Sequence, residues 1–112
     1  MRLTDADRLH HIIDSARKAI GLTQELQRDH LGDDEVLLLA LTRLIEIIGE
    51  AARNVSSDLR DQHREVPWAN MWGTRNRLVH AYDIVDLDIL WDVIKIELPP
   101  LINAIEAIIA ED

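Results

Sequence analysis

The sequence predicts an all-α protein, a bundle of four to five helices. Apolar residues recur at the three- and four-residue spacing of amphipathic helices along most of the chain. No stretch alternates apolar and polar residues over a useful length, as a half-buried strand would. The 112 residues include only four glycines and three prolines, and no flexible linker divides them. A single domain spanning residues 1–112 is therefore expected.

The first helix is predicted to begin after Thr4, whose hydroxyl suits an N-cap. Asp5 and Asp7 then place negative charge in the first turn, where the helix dipole favours it. The apolar positions that follow keep the helical period, and they are Leu9, Ile12, Ile13, Ala16, Ile20, Thr23 and Leu26.

Gly32 breaks this pattern, and Asp33 or Asp34 can cap a second helix. Its apolar stripe comprises Leu37, Leu38, Leu41, Leu44, Ile45, Ile48, Ala51, Ala52 and Val55. The stripe is wide enough to touch more than one neighbour, as a central helix of a bundle must. Ser56–Ser57 is expected to end this helix and to cap one short turn that ends near His63.

Two further helices complete the predicted bundle. One begins at Pro67, because proline suits the first helical position, and ends near His80. Its buried face is expected to comprise Trp68, Met71 and Trp72. The last helix follows a cap at Asp86, and its apolar residues are Leu87, Leu90, Trp91, Ile94, Leu98, Leu101, Ile102, Ile105 and Ile109. Pro99–Pro100 lies inside this helix, where lost backbone bonds predict a kink.

The composition excludes several classes of function. Without cysteine the chain has no disulfide, no thiol catalysis and no thiolate zinc site. No segment reaches the apolar length of a membrane span, and the first residues do not resemble a signal peptide, so a cytoplasmic protein without a membrane partner is expected. The formal net charge of −9 argues against indiscriminate capture of nucleic acid.

Most of the titratable side chains have ordinary interpretations. We expect solvent-exposed or capping roles for four of the five histidines, which are His10, His11, His30 and His63. Glu46 and Glu50 lie one helical turn apart and could form a carboxylate site. Arg43 and Arg53 lie beside them, however, and favour a solvated ion-pair face. No motif for a metal or for a phosphate-binding loop is present.

Residues 68–82, WANMWGTRNRLVHAY, form a segment with two arginines and no acid. Arg75 and His80 lie five residues apart in it, which on an ideal helix separates them by about 140°. Both side chains can serve one site only if the helix unwinds before His80 or if a second copy of the chain completes the site. The structural alternative is an arginine paired with a carboxylate and a histidine at a helix C-terminus.

The segment Arg75–Tyr82 matches the Arg-x4-His-x-Tyr motif of the HepT toxins, which belong to the HEPN (higher eukaryotes and prokaryotes nucleotide-binding) superfamily. The resemblance continues in IEIIGEAARNVS, in VPWANMWGTRNRLVHAYDIVDLDILWDVI and in ELPPL, and covers roughly residues 37–101. It implies a HEPN-type bundle that dimerises through its motif helices, with residues of both subunits lining one cleft. It also implies a metal- and cofactor-independent endoribonuclease, the toxin of a type VII toxin–antitoxin pair. The implied partners are an RNA substrate and an MntA-like nucleotidyltransferase antitoxin, which silences the toxin by transferring AMP to Tyr82.

The resemblance makes Arg75 and His80 the catalytic candidates. An imidazole suits proton transfer near neutral pH, and a guanidinium can hold the scissile phosphate. Asn76 and Arg77 are possible substrate contacts, although each is equally ordinary as a surface residue. Tyr82 is the expected AMPylation site, with a tyrosine packed at a helix end as the alternative. The competing functions are a non-catalytic HEPN module that binds nucleotide or RNA, and a structural helical dimer.

Overall fold

The computed structural model describes residues 3–79 and 84–111, and within these ranges the predicted all-α fold class is confirmed. The α-helices are α1 (Asp5–Thr23), α2 (Glu35–Asn54), α3 (Ser57–Gln62), α4 (Trp68–Leu78), α5 (Leu87–Asp92) and α6 (Leu98–Ala110). A 3-10 turn, Arg28–Asp33, separates α1 from α2, and a π-helical turn, Val93–Glu97, joins α5 to α6. None of the helices in this described part of the chain has the length and apolar content to cross a membrane.

Side-chain caps begin four of the helices at the predicted residues. Thr4 and Asp7 form a capping box on α1: the Thr4 Oγ1 accepts from the Asp7 N–H at 3.1 Å, and the Thr4 N–H donates to the Asp7 carboxylate at 2.9 Å. The caps of α2, α3 and α5 are the side chains of Asp34, Ser56 and Asp86. Local sequence chemistry therefore fixes where these helices start.

Helix α2 is the central element, as its wide apolar stripe predicts, and it lies between α1 and α4. Helix α6 packs against α1, so the core forms where these helices meet. The core is aliphatic, and its largest fully buried side chains are Ile12, Leu31, Leu41, Leu78, Leu90, Ile94 and Ile105. At Gly49 the backbones of α2 and α4 come unusually close: a Cβ placed there would lie 3.0 Å from the Met71 carbonyl oxygen and 3.2 Å from the Trp72 Cα.

The ends of two predicted helices lie elsewhere. Helix α1 ends at Thr23 rather than continuing to Leu26, and Gly32 belongs to the 3-10 turn instead of an open break. Pro67 occupies the cap position of α4, one residue before the first helical residue. These differences arise because the apolar period continues across a helix end and therefore does not mark the end.

The structure corrects two predictions about burial. Trp72 was expected on the buried face of α4 with Trp68 and Met71, but its side chain is 36% exposed. Because the backbone at Trp72 contacts α2 directly, no room is left between the helices for an indole. His63, expected to be exposed or capping, occupies the C-cap position of α3, where its backbone N–H donates to the Arg60 carbonyl. Its side chain is buried rather than exposed, with Nδ1 3.3 Å from Glu65 and Nε2 3.5 Å from Glu111.

The prolines of the last helix coincide with a widened turn. Pro99 and Pro100 follow the π-helical turn, in which the Leu98 N–H donates to the Val93 carbonyl five residues back. Proline cannot donate to the carbonyl four residues back and collides with it, so a wider preceding turn relieves the conflict. Lys95, within this turn, donates from Nζ to the Thr23 carbonyl at 2.8 Å and thereby satisfies the end of α1.

Candidate functional site

Arg75 is held against α2 by a carboxylate that precedes it by 29 residues. Its Nε donates to Oε1 of Glu46 at 2.9 Å, while Oε2 of Glu46 lies 3.5 Å from Nη1 of Arg43. The Arg75 side chain is 47% exposed. Among the described residues neither Nη group of Arg75 has a hydrogen-bond partner. Glu46 therefore orients the guanidinium through Nε and leaves its outer donors available.

Two open clefts meet at this ion pair, and Glu46 and Arg75 line both of them. The first, which we call the Trp72 cleft, has a volume of about 460 Å³ and is also lined by Glu50, Arg53 and Trp72. The second, the Val79 cleft, has a volume of about 440 Å³ and is also lined by Leu39, Thr42, Arg43, Val79 and Val85. The Arg75 side chain thus lies where a ligand in either cleft would meet it.

The motif segment leaves the helix before His80. Helix α4 ends at Leu78, and Val79 has extended backbone angles, φ −101° and ψ 120°. The chain then returns to the same place: Val79 and Val85 form an antiparallel bridge, and the Asp86 N–H donates to the Leu78 carbonyl at 2.7 Å. The 140° separation expected on a continuous helix therefore does not apply, because the helix ends too early. His80 itself lies outside the described residues, as does Tyr82.

The remaining candidates of the motif differ in their surroundings. Arg77 does not share the partner of Arg75; its Nη2 lies 3.1 Å from Oε1 of Glu97 and 3.2 Å from the Thr74 hydroxyl. The contact with Glu97 ties α4 to the π-helical turn that joins α5 to α6. Asn76 is exposed on the surface of α4. The structure brings Arg75 to the two clefts and places Arg77 in an ion pair on another side of the helix.

Sequence reasoning identified part of this site and missed part of it. The ion-pair face predicted for Glu46, Glu50, Arg43 and Arg53 is confirmed only in part: Arg43 pairs with Glu46, and among the described residues neither Glu50 nor Arg53 forms an ion pair. His30 has the predicted capping role, accepting from the Gln27 N–H at 2.8 Å. His10 and His11 are exposed, as expected. The contact of Glu46 with Arg75 had no local signal, because the two residues lie on different helices. Within residues 3–79 and 84–111, no group of three histidine or acidic side chains is arranged to hold a metal ion.

Comparisons with known proteins agree on one family. The sequence profile of the family described as Ribonuclease HepT-like matches residues 12–108. The chain is 34% identical over 101 residues to a Thermococcus cleftensis protein named Probable ribonuclease HepT, covering 90% of this chain and 92% of that one. It is 33% identical over 100 residues to a Methanocaldococcus jannaschii protein named as a candidate RNase, covering 89% and 92% of the two chains. A similarly named Caldanaerobacter subterraneus protein is 33% identical over 104 residues, covering 93% of each chain. No solved structure gives a significant match.

Proposed function

The chain belongs to the HepT-like ribonuclease family, and we propose that it is a metal-independent endoribonuclease of the HEPN type, acting as the toxin of a type VII toxin–antitoxin pair. The observation that carries this proposal is the setting of Arg75. Its guanidinium is anchored through Nε on Glu46, is half-exposed, and lines two clefts beside the point where the motif leaves α4. A fixed, permanently charged fork of donors in an open cleft suits an RNA phosphate.

In the proposed reaction the 2′-oxygen of one ribose attacks the adjacent phosphorus, and the bond from phosphorus to the 5′-oxygen of the next nucleotide breaks. The products are a 2′,3′-cyclic phosphate and a 5′-hydroxyl. Arg75 donates from its Nη groups to the non-bridging phosphate oxygens, where negative charge builds up in the transition state. His80 takes the proton from the 2′-hydroxyl or returns one to the leaving oxygen. Asn76 and Arg77 remain possible substrate contacts.

The active form in this proposal is a homodimer in the cytoplasm. Pairing two motif helices about a twofold axis sets Arg75 of one subunit near His80 of the other, and doubles the positive charge of residues 68–82. This local positive charge lies within a chain whose net charge is −9. Clefts in which Arg75 lies among carboxylates, on a body of net negative charge, favour capture of one exposed phosphate over coating of nucleic acid.

The test is cleavage of a single-stranded RNA in the presence of a chelator. Arg75→Ala and His80→Ala are each expected to lower the cleavage rate by about 10²- to 10³-fold, the usual loss when one transition-state donor is removed. The same sequence as DNA should stay intact, because it lacks the attacking 2′-hydroxyl. The matched control is Arg17→Ala, which removes an exposed arginine that pairs with Glu106 and lies outside both clefts.

Cleavage that persists at the parent rate in both variants would contradict the proposal. RNA binding without any product by the unmodified protein would favour the non-catalytic HEPN module. A protein that neither binds nor cleaves RNA would favour the structural helical dimer.

Regulation by a nucleotidyltransferase antitoxin is part of the same proposal. Transfer of AMP from ATP to the phenol of Tyr82, with release of pyrophosphate, would add a phosphodiester anion near Arg75 and compete with the RNA phosphate. Mass spectrometry after co-expression with an MntA-like enzyme is expected to show the Tyr82 peptide heavier by one or more AMP groups, and cleavage activity should fall in proportion. An unshifted Tyr82 peptide in a silenced protein would contradict it.

A further inference from the structure

Trp72 is the aromatic side chain that the fold leaves at the surface next to Arg75. Its indole is 36% exposed, whereas Trp68, one turn earlier on α4, is only 6% exposed. The Cα of Trp72 packs on the α2 backbone opposite Gly49, so the residue is held on a rigid support. Trp72 and Arg75 lie three positions apart on one helix and therefore share a face.

Arginines flank this indole on two sides. The guanidinium of Arg60, from α3, lies over one face of the Trp72 ring, 5.2 Å from its centroid, and leaves the opposite face for a stacked base. Trp72 separates the Trp72 cleft from a second depression of about 410 Å³, which we call the Arg60 cleft and which is also lined by Ser57, Arg60, Arg64 and Asn70. Arg53 lines the Trp72 cleft on the side of α2. A ligand strand that runs from Arg75 across Trp72 to Arg60 would thus meet positive charge before and after the indole ring.

Two of these arginines are not neutralised locally. Within the described part of the chain no carboxylate lies within ion-pair distance of Arg53 or Arg60, and the Nε of Arg60 is buried without a hydrogen-bond partner. By contrast, Arg75 pairs with Glu46, and Arg64 lies 3.8 Å from Asp61. In a protein with 21 acids and 12 bases, unpaired arginines on both sides of an exposed indole favour an anionic aromatic ligand over an apolar one.

We propose that Trp72 is a base-stacking subsite for single-stranded RNA, with Arg60 and Arg53 contacting the flanking phosphates. This inference rests on the proposed function. The subsite holds the base of the nucleotide next to the phosphate bound by Arg75. An indole presents a flat face on which any base can stack, and arginine supplies the backbone contact, so the subsite accepts unpaired RNA with little sequence preference. A base within a duplex is already stacked on its neighbours and cannot use it.

The test measures binding without cleavage, using a short 2′-O-methyl oligoribonucleotide whose blocked 2′-oxygen cannot attack. Binding by the full-length protein is expected to quench tryptophan fluorescence, and the quench should be lost in Trp72→Leu. This variant should also weaken binding about five- to a hundredfold, the range for loss of one stacked base. Trp72→Phe keeps an aromatic face and should stay within about threefold of the parent. Arg60→Gln and Arg53→Gln should each weaken binding, whereas Arg8→Gln should not, because Arg8 lies on α1 and lines neither the Trp72 cleft nor the Arg60 cleft.

An abasic nucleotide placed at successive positions of the oligonucleotide locates the subsite. At one position, next to the phosphate at Arg75, the abasic nucleotide should weaken binding to the parent protein as much as Trp72→Leu does. At the same position it should not weaken binding to the Trp72→Leu variant any further. Thermal melting and light scattering of each variant show whether fold and oligomeric state are kept.

The outcomes separate this inference from the proposed function. If Trp72→Leu binds the oligonucleotide as tightly as the parent, or if the parent does not bind it, the subsite does not exist, whatever the cleavage result. Suppose instead that Trp72→Leu changes the oligomeric state and that the tryptophan fluorescence of the parent protein does not change when RNA is added. The indole then belongs to a subunit interface, and the inference is overturned. If binding behaves as expected but no RNA is cleaved, the subsite stands and the endoribonuclease proposal fails.

Discussion

Glu46 affects the proposed chemistry in two opposite ways. Its carboxylate holds the Arg75 guanidinium at 2.9 Å and so positions the donors that meet the phosphate. The same negative charge lines both clefts and repels the RNA backbone. Glu46 is thus a positioning residue whose removal should separate catalysis from binding.

Glu46→Gln is expected to lower kcat about tenfold, the loss from a neutral bond in place of a charge-assisted one, and to leave KM unchanged or lower it. Steady-state cleavage of a short RNA provides both constants. Glu50→Gln is the matched control, because Glu50 lines the Trp72 cleft but, among the described residues, forms no ion pair with Arg75. It should lower KM without lowering kcat. A kcat equal to that of the parent in Glu46→Gln would mean that Arg75 needs no such support.

The capping box of α1 makes the stability of the protein depend on pH through Asp7. The hydrogen bond from the Thr4 backbone N–H, and then that from the Thr4 side chain, lower the pKa of the Asp7 carboxyl below its ordinary value. A carboxylate whose pKa is lowered by folding stabilises the protein above its unfolded pKa, and this stabilisation is lost as the pH falls through the folded pKa. Asp7→Ala should therefore unfold at lower urea concentration than the parent at pH 7. The gap should close as the pH falls through the folded pKa of Asp7, which lies below the ordinary value of an aspartate carboxyl. A gap that stays constant over this range would show that the charge of Asp7 contributes nothing.

At the scale of elements, the contact between α2 and α4 depends on the absence of one side chain. Gly49→Ala would place a Cβ 3.0 Å from the Met71 carbonyl oxygen, and neither backbone can move without shifting a helix. We expect a loss of about 1–3 kcal/mol in the free energy of unfolding, the usual cost of overpacking. Gly73→Ala, on α4 with nothing within 4 Å of the new Cβ, should instead gain up to about 1 kcal/mol from helix propensity. Urea denaturation measures both, and equal stability of the two variants would exclude close packing at Gly49.

The elements also show what a sequence alone can predict. Caps such as Thr4 and Asp34 were predictable, because a cap bonds to a backbone group only a few residues away. The exposure of Trp72 was not, because helical periodicity identifies an apolar face without showing how closely the next helix approaches. The same limit applies to the site. The motif identified Arg75, but its hydrogen bond to Glu46 depends on how α2 and α4 pack, and the two residues are 29 positions apart in the sequence.

At the scale of the whole molecule, the proposed dimer can be tested by complementation. If Arg75 of one subunit works with His80 of the other, mixing the inactive Arg75→Ala and His80→Ala proteins restores one intact site in each mixed dimer. Random exchange then makes about half of the dimers mixed, with one of two sites complete, and recovers about a quarter of the parent activity. The measurement is RNA cleavage after subunit exchange, with light scattering to confirm dimers. No recovery in fully exchanged dimers would place both residues of a site on one subunit.

The bridge between Val79 and Val85 has a consequence for silencing. It holds Val79 and Val85 together at the rim of the Val79 cleft, which Arg75 also lines, so under our proposal a group on the short chain between them would act as a tethered ligand of that cleft. A confined ligand acts at an effective concentration of order millimolar, set by the short tether rather than by its amount in the cell. An AMP group on Tyr82 would therefore need only weak intrinsic affinity for the cleft to exclude RNA. Free AMP at cellular levels would compete poorly for the same place.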